Sequence, residues 1–347
     1  CYTFPEEAKT AFDAAANVWA NVLTSNVPIT ISACWADLGS SSTLGYSGGG
    51  TSSRDFTGAT QSNTWYSGSL ANALNGSDLV PSNFDMHITY NTNFTWYYGT
   101  DGNTPVFQYD LMTVVLHEIC HGLNFSGTMS YSSYSGGIGY WGTYPNIYDV
   151  FMKDGSGTQL IDTGTYPKYS IALGSALTSN DIWFHGTQAM AANGGQRVKM
   201  YAPSTWRSGS SYSHLDYDTF NGTSNQLMVF AVSAGESVHD PGAVTEGLLE
   251  DLGWPSSSSC PSCSGAVVLN GVTFPAGETC PCTGTTISLL NVTVPNNATA
   301  NFTASTSITV DSGTTFENGS NATFTAPNTV FQPGSHVESG AGLNVGQ

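Results

Sequence analysis

At 347 residues, with 39% hydrophobic and only 9% charged residues, the chain has material for one large domain or a few smaller ones, and Ser, Thr, Asn and Gly must cover its surface. Seven basic against 25 acidic side chains leave a net charge of −18, which argues against nucleic acid and anionic membranes as partners. No run of about 18 apolar residues is present, so no transmembrane helix is expected.

The chain opens at Cys1 rather than at Met, so removal of a leader is expected. Pro5-Glu6-Glu7 suits a first helical turn, and Ala8, Phe12, Ala15, Ala16, Trp19, Val22 and Leu23 recur at helical spacing, predicting an amphipathic helix over 5–24. Residues 28–35 alternate, with Ile29, Ile31, Ala33 and Trp35 on one face of a strand. Residues 39–53 read as a Gly/Ser loop, 65–79 as a short helical piece, and Asp85 to Tyr90 as a second strand.

Asp110 then stands as an N-cap before Leu111, Met112, Val115, Leu116, Ile119, Cys120 and Leu123, which form one broad apolar helix face. Gly122 and Asn124 supply the stop, since both tolerate left-handed backbone. This helix carries His117-Glu118-Ile119-Cys120-His121. Histidines four apart on a helix point the same way and can reach one metal ion, and a glutamate beside the first can hold and deprotonate a metal-bound water. That is the HExxH pattern of zinc peptidases. A histidine pair on a helix is often only structural, but Glu118 between them and the apolar helix favour the metal.

Residues 125–210 read as a loop-rich region with short elements, and Val244 to Leu252 as a helix ending at Gly253-Trp254-Pro255. Composition shifts after a Ser linker at 256–259. The tail, 256–347, lacks Trp and Tyr, and Val294, Phe302, Ile308, Val310, Phe316, Phe324, Phe331, Val337 and Leu343 recur between Gly/Asn turns. Its expected form is a small β-solenoid or β-meander, the alternative being a disordered hydroxyl-rich stalk. The division expected is therefore 1–255, with an upper part to about 125 and a lower part from about 126, and then 256–347.

Of seven cysteines, Cys1, Cys34, Cys260, Cys263, Cys280 and Cys282 are disulfide candidates, and Cys120, inside the helix, is the buried odd one. A zinc knuckle from the last four and lipidation of Cys1 are the rival readings. Several Asn-x-Ser/Thr sequons, at Asn75, Asn93 and Asn221 among others, matter only where the source glycosylates.

A catalytic zinc usually has three protein ligands and one open position. Asp149 and His185 are possible third ligands. The position six residues after His121, where the compact metzincin spacing has a histidine, is Gly127. Further on stand Ser213-His214 and Leu227-Met228. With Val115 to Ser126, these resemble the leishmanolysin-like metzincins, in which a long insertion precedes a third histidine and a Met-turn. Segments at Trp96 to Asp101, Tyr201 to Trp206 and His239 to Gly242 also resemble secreted bacterial proteins of this kind. The resemblance covers about residues 1–255 and implies an α+β zincin/metzincin-like domain: a twisted mixed sheet, a backing helix, an active-site helix and a loop-rich lower half. It implies His117, His121 and His214 as ligands of one Zn2+, Glu118 as general base and acid, and Met228 beneath the metal. The family's glycine three residues after the second histidine is Asn124 here, the next best residue for positive φ.

The expectation is a secreted zinc endopeptidase acting on protein or peptide. Its substrate would pair with an edge strand, for which Met86, His87, Ile88, Thr89 and Tyr90 are the candidates. The alternative is an extracellular structural or adhesive protein that self-associates through its β tail. Calcium at loop acids such as Asp101 and Asp149 is also possible. His87, His185 and His239 read as structural, His239 as pinning the turn at Asp240.

Overall fold

In the computed structural model, which describes residues 1–48, 50–255, 263, 265–270, 272, 274 and 279–346, the stripe Ala8, Ala11, Ala15 and Trp19 buries one side of α1 (Glu6–Val22), while Lys9, Asp13 and Asn17 face outward. The chain forms two compact units: residues 1–20 with 25–254, and residues 21–24 with 255–347. It is a mixed α+β structure with a C-terminal β-solenoid.

In the first unit, β1 (Ile31–Ala36) and β2 (Gly45–Gly48) are followed by a short antiparallel pair, β3 (Ser52–Ser53) with β4 (Tyr66–Ser67), and by α2 (Gly68–Asn75). Then β5 (Met86–Asn91) enters between β1, with which it is parallel, and β2, with which it is antiparallel. Two sequence expectations are corrected here. Met86, His87, Ile88, Thr89 and Tyr90 lie in the middle strand of this sheet, with both backbone edges engaged. The sheet's edges are β1 and β2, and β2 comes from the stretch read as loop. Its Gly-rich sequence hides the strand, but Gly45 is there for room: a Cβ would sit 3.1 Å from the Thr89 carbonyl oxygen and 3.5 Å from Cγ of Glu118. Buried Asn91 holds the preceding loop, its Nδ2 donating to the Ser40 and Thr43 carbonyls at 2.9 Å each.

After β6 (Trp96–Tyr97), parallel to β7 (Tyr109–Asp110), comes α3 (Leu111–Gly122). Nine of its twelve residues are buried. Two tryptophans clamp it, the Trp19 indole N–H donating to the Leu116 carbonyl at 3.1 Å and that of Trp254 to the Leu123 carbonyl at 2.7 Å. The helix stops through Asn124, whose φ of 85° is the left-handed turn expected of it. Gly122 serves packing: a Cβ there would lie 2.3 Å from Sδ and 2.9 Å from Cβ of Met86, so α3 presses onto β5.

The remainder of this unit is built of short pieces. The strands β8 (Ser130–Ser132), β9 (Ile138–Tyr140) and β11 (Tyr169–Ser170) form one antiparallel sheet, and β10 (Met152–Asp154), β12 (Ile182–Phe184) and β13 (Val198–Met200) another. Around them lie a 3-10 turn (Ser133–Ser135), α4 (Ile147–Val150), α5 (Ile171–Leu177), α6 (Thr187–Ala192), α7 (Tyr217–Phe220) and α8 (Ala243–Leu252). The Asp251 carboxylate caps α6, accepting the Gln188 and Ala189 amides at 3.0 and 2.9 Å.

Among the described residues of the second unit every strand pair is parallel, which makes it a solenoid and not a meander. Register partners lie 20 to 22 residues apart, Thr279 opposite Thr299 and Thr299 opposite Asn321, so one coil takes about three of the short beats seen in the sequence. One face stacks β15 (Thr279–Leu290), β17 (Thr299–Val310), β19 (Asn321–Thr325) and β22 (Gly342–Gly346). A second stacks β14 (Ala266–Asn270), the ends of β15 and β17, and β20 (Thr329–Phe331). A third stacks β16 (Thr293–Val294), β18 (Thr315–Phe316) and β21 (His336–Val337). Phe274, Phe302, Phe316 and Phe324 fill the interior. Coil corners repeat as β-turns, the Ser320 amide bonding to the Glu317 carbonyl and that of Ala341 to Glu338.

Cys1 pairs with Cys34 and Cys263 with Cys282, and Cys280 is also disulfide-bonded. Cys260 lies outside the described residues. These bonds rule out the zinc knuckle and a thioether-linked lipid on Cys1. Cys120 is a buried free thiol. Among the described residues no helix is long and apolar enough to cross a membrane.

Candidate metal centre

The helix that carries the motif is fixed first at its N-terminus. Buried Asp110 caps α3 through Oδ1, which accepts the Thr113 amide and hydroxyl at 2.7 Å each, while Oδ2 accepts the Thr104 hydroxyl at 2.9 Å. His239 Nε2 is 2.8 Å from the same carboxylate, so His239 pins the start of α3, whereas the turn at Asp240 is held by its own Oδ1 on the Gly242 amide. Burial alone would raise the Asp110 pKa, but bonds from His239 and Thr113 and the His239 charge bring it below the ordinary carboxylate value.

With α3 fixed, the four-residue spacing puts His117 and His121 on one face, their Nε2 atoms 3.1 Å apart. His214 reaches the same point from a loop 93 residues beyond His121, its Nε2 3.1 Å from that of His117 and 3.3 Å from that of His121. Each ring is oriented from behind by a backbone carbonyl: His117 Nδ1 by Leu227 at 2.8 Å, His121 Nδ1 by Phe125 at 2.8 Å, and His214 Nδ1 by Ser210 at 2.7 Å. A carbonyl only accepts, so each Nδ1 carries the proton and each Nε2 presents a lone pair. Burial keeps the rings neutral. It is the leading cause of the lowered pKa of all three, with His121 brought to about 3 and His214 lowered further by both neighbours.

Three lone pairs converging this closely repel one another unless a cation lies between them. Tetrahedral Zn–N bonds of roughly 2.0–2.1 Å put ligand nitrogens roughly 3.3–3.4 Å apart, close to the separations here. The donor set therefore fits one divalent cation. Among the described residues this is the one group of three or more His, Cys, Asp or Glu side chains that converges in this way. Asp149 and His185, the other third-ligand candidates, do not join it. Asp149 accepts bonds from Thr128, Asn146 and Tyr212, and Asp101, the other suggested calcium ligand, from Tyr97 and Asn103.

Glu118 is buried beside this cluster. Burial raises its pKa to about 8, opposed only by the Ser47 amide of β2, and its Oε2 has no hydrogen-bond partner. Met228 is fully buried, and its carbonyl accepts the Leu215 amide at 2.9 Å, directly after the residue that orients His117. All three histidines, Glu118 and β2 line a cleft of about 950 Å³ whose walls include Tyr131, Tyr140, Trp206 and Phe230.

Sequence reasoning missed the second layer: the Ser210, Leu227 and Phe125 carbonyls, the Ser47 amide, and the bonds of Asp149. Backbone groups leave no residue-type signal. Buried Asp149, directly after Tyr148, reads in the sequence only as a possible metal ligand.

A family model described as SPBPB7E8-like matches residues 3–141, which include α1, the β1-β5-β2 sheet and the His117–His121 helix but not His214, Met228 or the solenoid. No curated protein and no solved structure matches the chain.

Proposed function

We propose that the first unit is a zinc-dependent endopeptidase of the long-insertion metzincin type, acting outside the cell. The observation that carries this is the convergence of three carbonyl-oriented, neutral imidazoles beside a buried Glu118 whose Oε2 has no hydrogen-bond partner, in an open cleft. When bound, zinc supplies a water of lowered pKa and polarises a peptide carbonyl. His117, His121 and His214 hold the ion without cancelling its charge. Glu118 takes a proton from the attacking water at Oε2 and returns it to the departing amine. An extended peptide lies along β2, the free sheet edge in the cleft, and its backbone pairs with the strand. The disulfides suit an oxidising, extracytoplasmic location.

The test is zinc stoichiometry together with chelator-sensitive cleavage of casein. Glu118→Gln should keep the zinc and lower hydrolysis by orders of magnitude. A Glu118→Gln protein as active as the parent would sink the reading.

A second reading concerns the tail. Core columns that are fully buried inside the solenoid reach the surface in its last described coil: Phe324 is 0% and Val345 59% exposed, Phe316 0% and Val337 43%. Such an apolar strand edge favours association. Concentration-dependent sedimentation that Val337→Lys with Val345→Lys abolishes would support it, and unchanged sedimentation would remove it.

A further inference from the structure

The third ligand must be returned to α3 over 93 residues of chain, and the loop that does so is held in an unusual way. Tyr212, two residues before His214, has φ +77°, a left-handed backbone that bulky side chains rarely adopt. It is 1% exposed and held at three points. Its amide donates to the Tyr201 carbonyl at 2.8 Å, its carbonyl accepts the Tyr148 hydroxyl at 3.0 Å, and its own hydroxyl donates to Asp149 Oδ1 at 2.9 Å. The Tyr201 amide in turn donates to the His214 carbonyl at 2.9 Å, so the same two segments carry the ligand.

Asp149 is fully buried and joins this loop to two other segments. Its Oδ2 accepts the Thr128 hydroxyl at 2.5 Å and the Asn146 amide at 2.8 Å, and its Oδ1 accepts the Thr128 amide at 3.1 Å. Thr128 follows Gly127, the position where the compact spacing would place a ligand. A Cβ at Gly127 would lie 2.3 Å from Asp149 Oδ1 and 2.3 Å from Cε1 of Tyr212. The space for a side chain at 127 is thus taken by the Asp149–Tyr212 pair.

We infer that Asp149 is the positioning residue of the third metal ligand, acting through the Tyr212 hydroxyl to hold the strained backbone that aims His214, with Gly127 kept bare to admit the pair. This rests on the metal centre proposed above. The pair replaces a locally supplied ligand with an anchor for a distant one. Polar groups behind metal ligands fix ligand direction, and their loss commonly weakens metal binding by about 10- to 100-fold.

The experiment titrates the metal-free full chain with Co2+, following the visible absorption band, and obtains affinity by chelator competition for the parent, Tyr212→Phe and Asp149→Asn. The expected result is affinity about 10- to 100-fold weaker in both variants, with an altered visible band, at a temperature where circular dichroism shows both folded. A packing role alone would lower the melting temperature while leaving band and affinity at parental values, and that result overturns the inference. Should Asp149→Asn not fold, Tyr212→Phe decides alone, since it removes one oxygen and keeps the ring. A parent chain that gives no Co2+ band overturns the three-histidine centre itself, a different failure from parental binding in the variants.

Discussion

His117 Nδ1 lies 2.8 Å from the carbonyl oxygen of Leu227, a contact between residues 110 apart in sequence. The next residue, Met228, accepts the Leu215 amide, so one short segment touches the helix that carries two imidazoles and the residue that follows the third. The three rings are therefore set by backbone positions rather than by charged partners. Their neutrality comes from burial, which outweighs the carbonyl bonds that favour the protonated form.

His214→Ala should remove most metal affinity, since the two histidines of α3 cannot fill a three-nitrogen site. The loss should exceed the roughly 100-fold upper range for indirect partners. Metal content after dialysis against a weak chelator measures it. Stoichiometric zinc retained by this variant would exclude His214 as a ligand.

Asp110→Ala should destabilise the first unit by about 2–4 kcal/mol, combining a lost N-cap with charged hydrogen bonds broken in the interior. His239→Ala should cost less, and a double-mutant cycle in thermal melts should show a coupling above about 0.5 kcal/mol. The pH dependence has a defined sign. Because the Asp110 pKa is lowered in the fold, its contribution is present above the ordinary value of 3.8 and is lost as pH falls through the folded value. A variant that melts like the parent at neutral pH would show the cap to be idle.

Gly122→Ala tests the contact of α3 with β5. The added methyl would meet the Met86 side chain down to its Cβ, which rotation about χ angles cannot move. Overpacking of about 1–3 kcal/mol is expected. Met86→Ala would be destabilising alone, yet in combination should recover part of the Gly122→Ala loss. Strict additivity of the two in urea melts would mean that they do not press on one another.

The elements legible in the sequence were those with a strong local period. The spacing in α1 and α3, the Asp110 cap and the Asn124 turn all follow from nearest-neighbour chemistry. Strand order was not legible, because β2 is Gly45-Tyr46-Ser47-Gly48 and carries no apolar alternation; only its fit against Thr89 and Glu118 makes it an edge. In the tail, apolar beats showed a repeat but not its length, since three faces share one coil and each contributes its own beat. At the centre, His117, Glu118 and His121 were marked by their spacing together with the apolar helix that carries them. His214 needed a resemblance to be singled out, because a histidine among Ser and Tyr residues has no local mark, and Gly127 was informative only as an absence until Asp149 and Tyr212 were seen to fill its space.

Glu246 offers a test of the electrostatics away from the metal. It lies in the first turn of α8, largely buried, with Asp240 and Glu250 as acidic neighbours. Burial, then the charges of Asp240 and Glu250, raise its pKa from 4.5 to about 7. The folded state thus binds this proton more tightly than the unfolded chain. Stability should fall as pH rises from 4.5 to about 7 and then level off, because above that both states are ionised and the folded one carries the penalty. Glu246→Gln removes the titration while keeping the shape. It should stabilise the protein by about 1–3 kcal/mol at pH 8, on the basis of roughly 1.4 kcal/mol per unit, and change little at pH 4. Melting temperatures of the two proteins across this range should converge in acid and separate in base. Equal spacing of the two curves at every pH would mean that Glu246 keeps an ordinary carboxyl, with its burial offset by contacts to the ionised form.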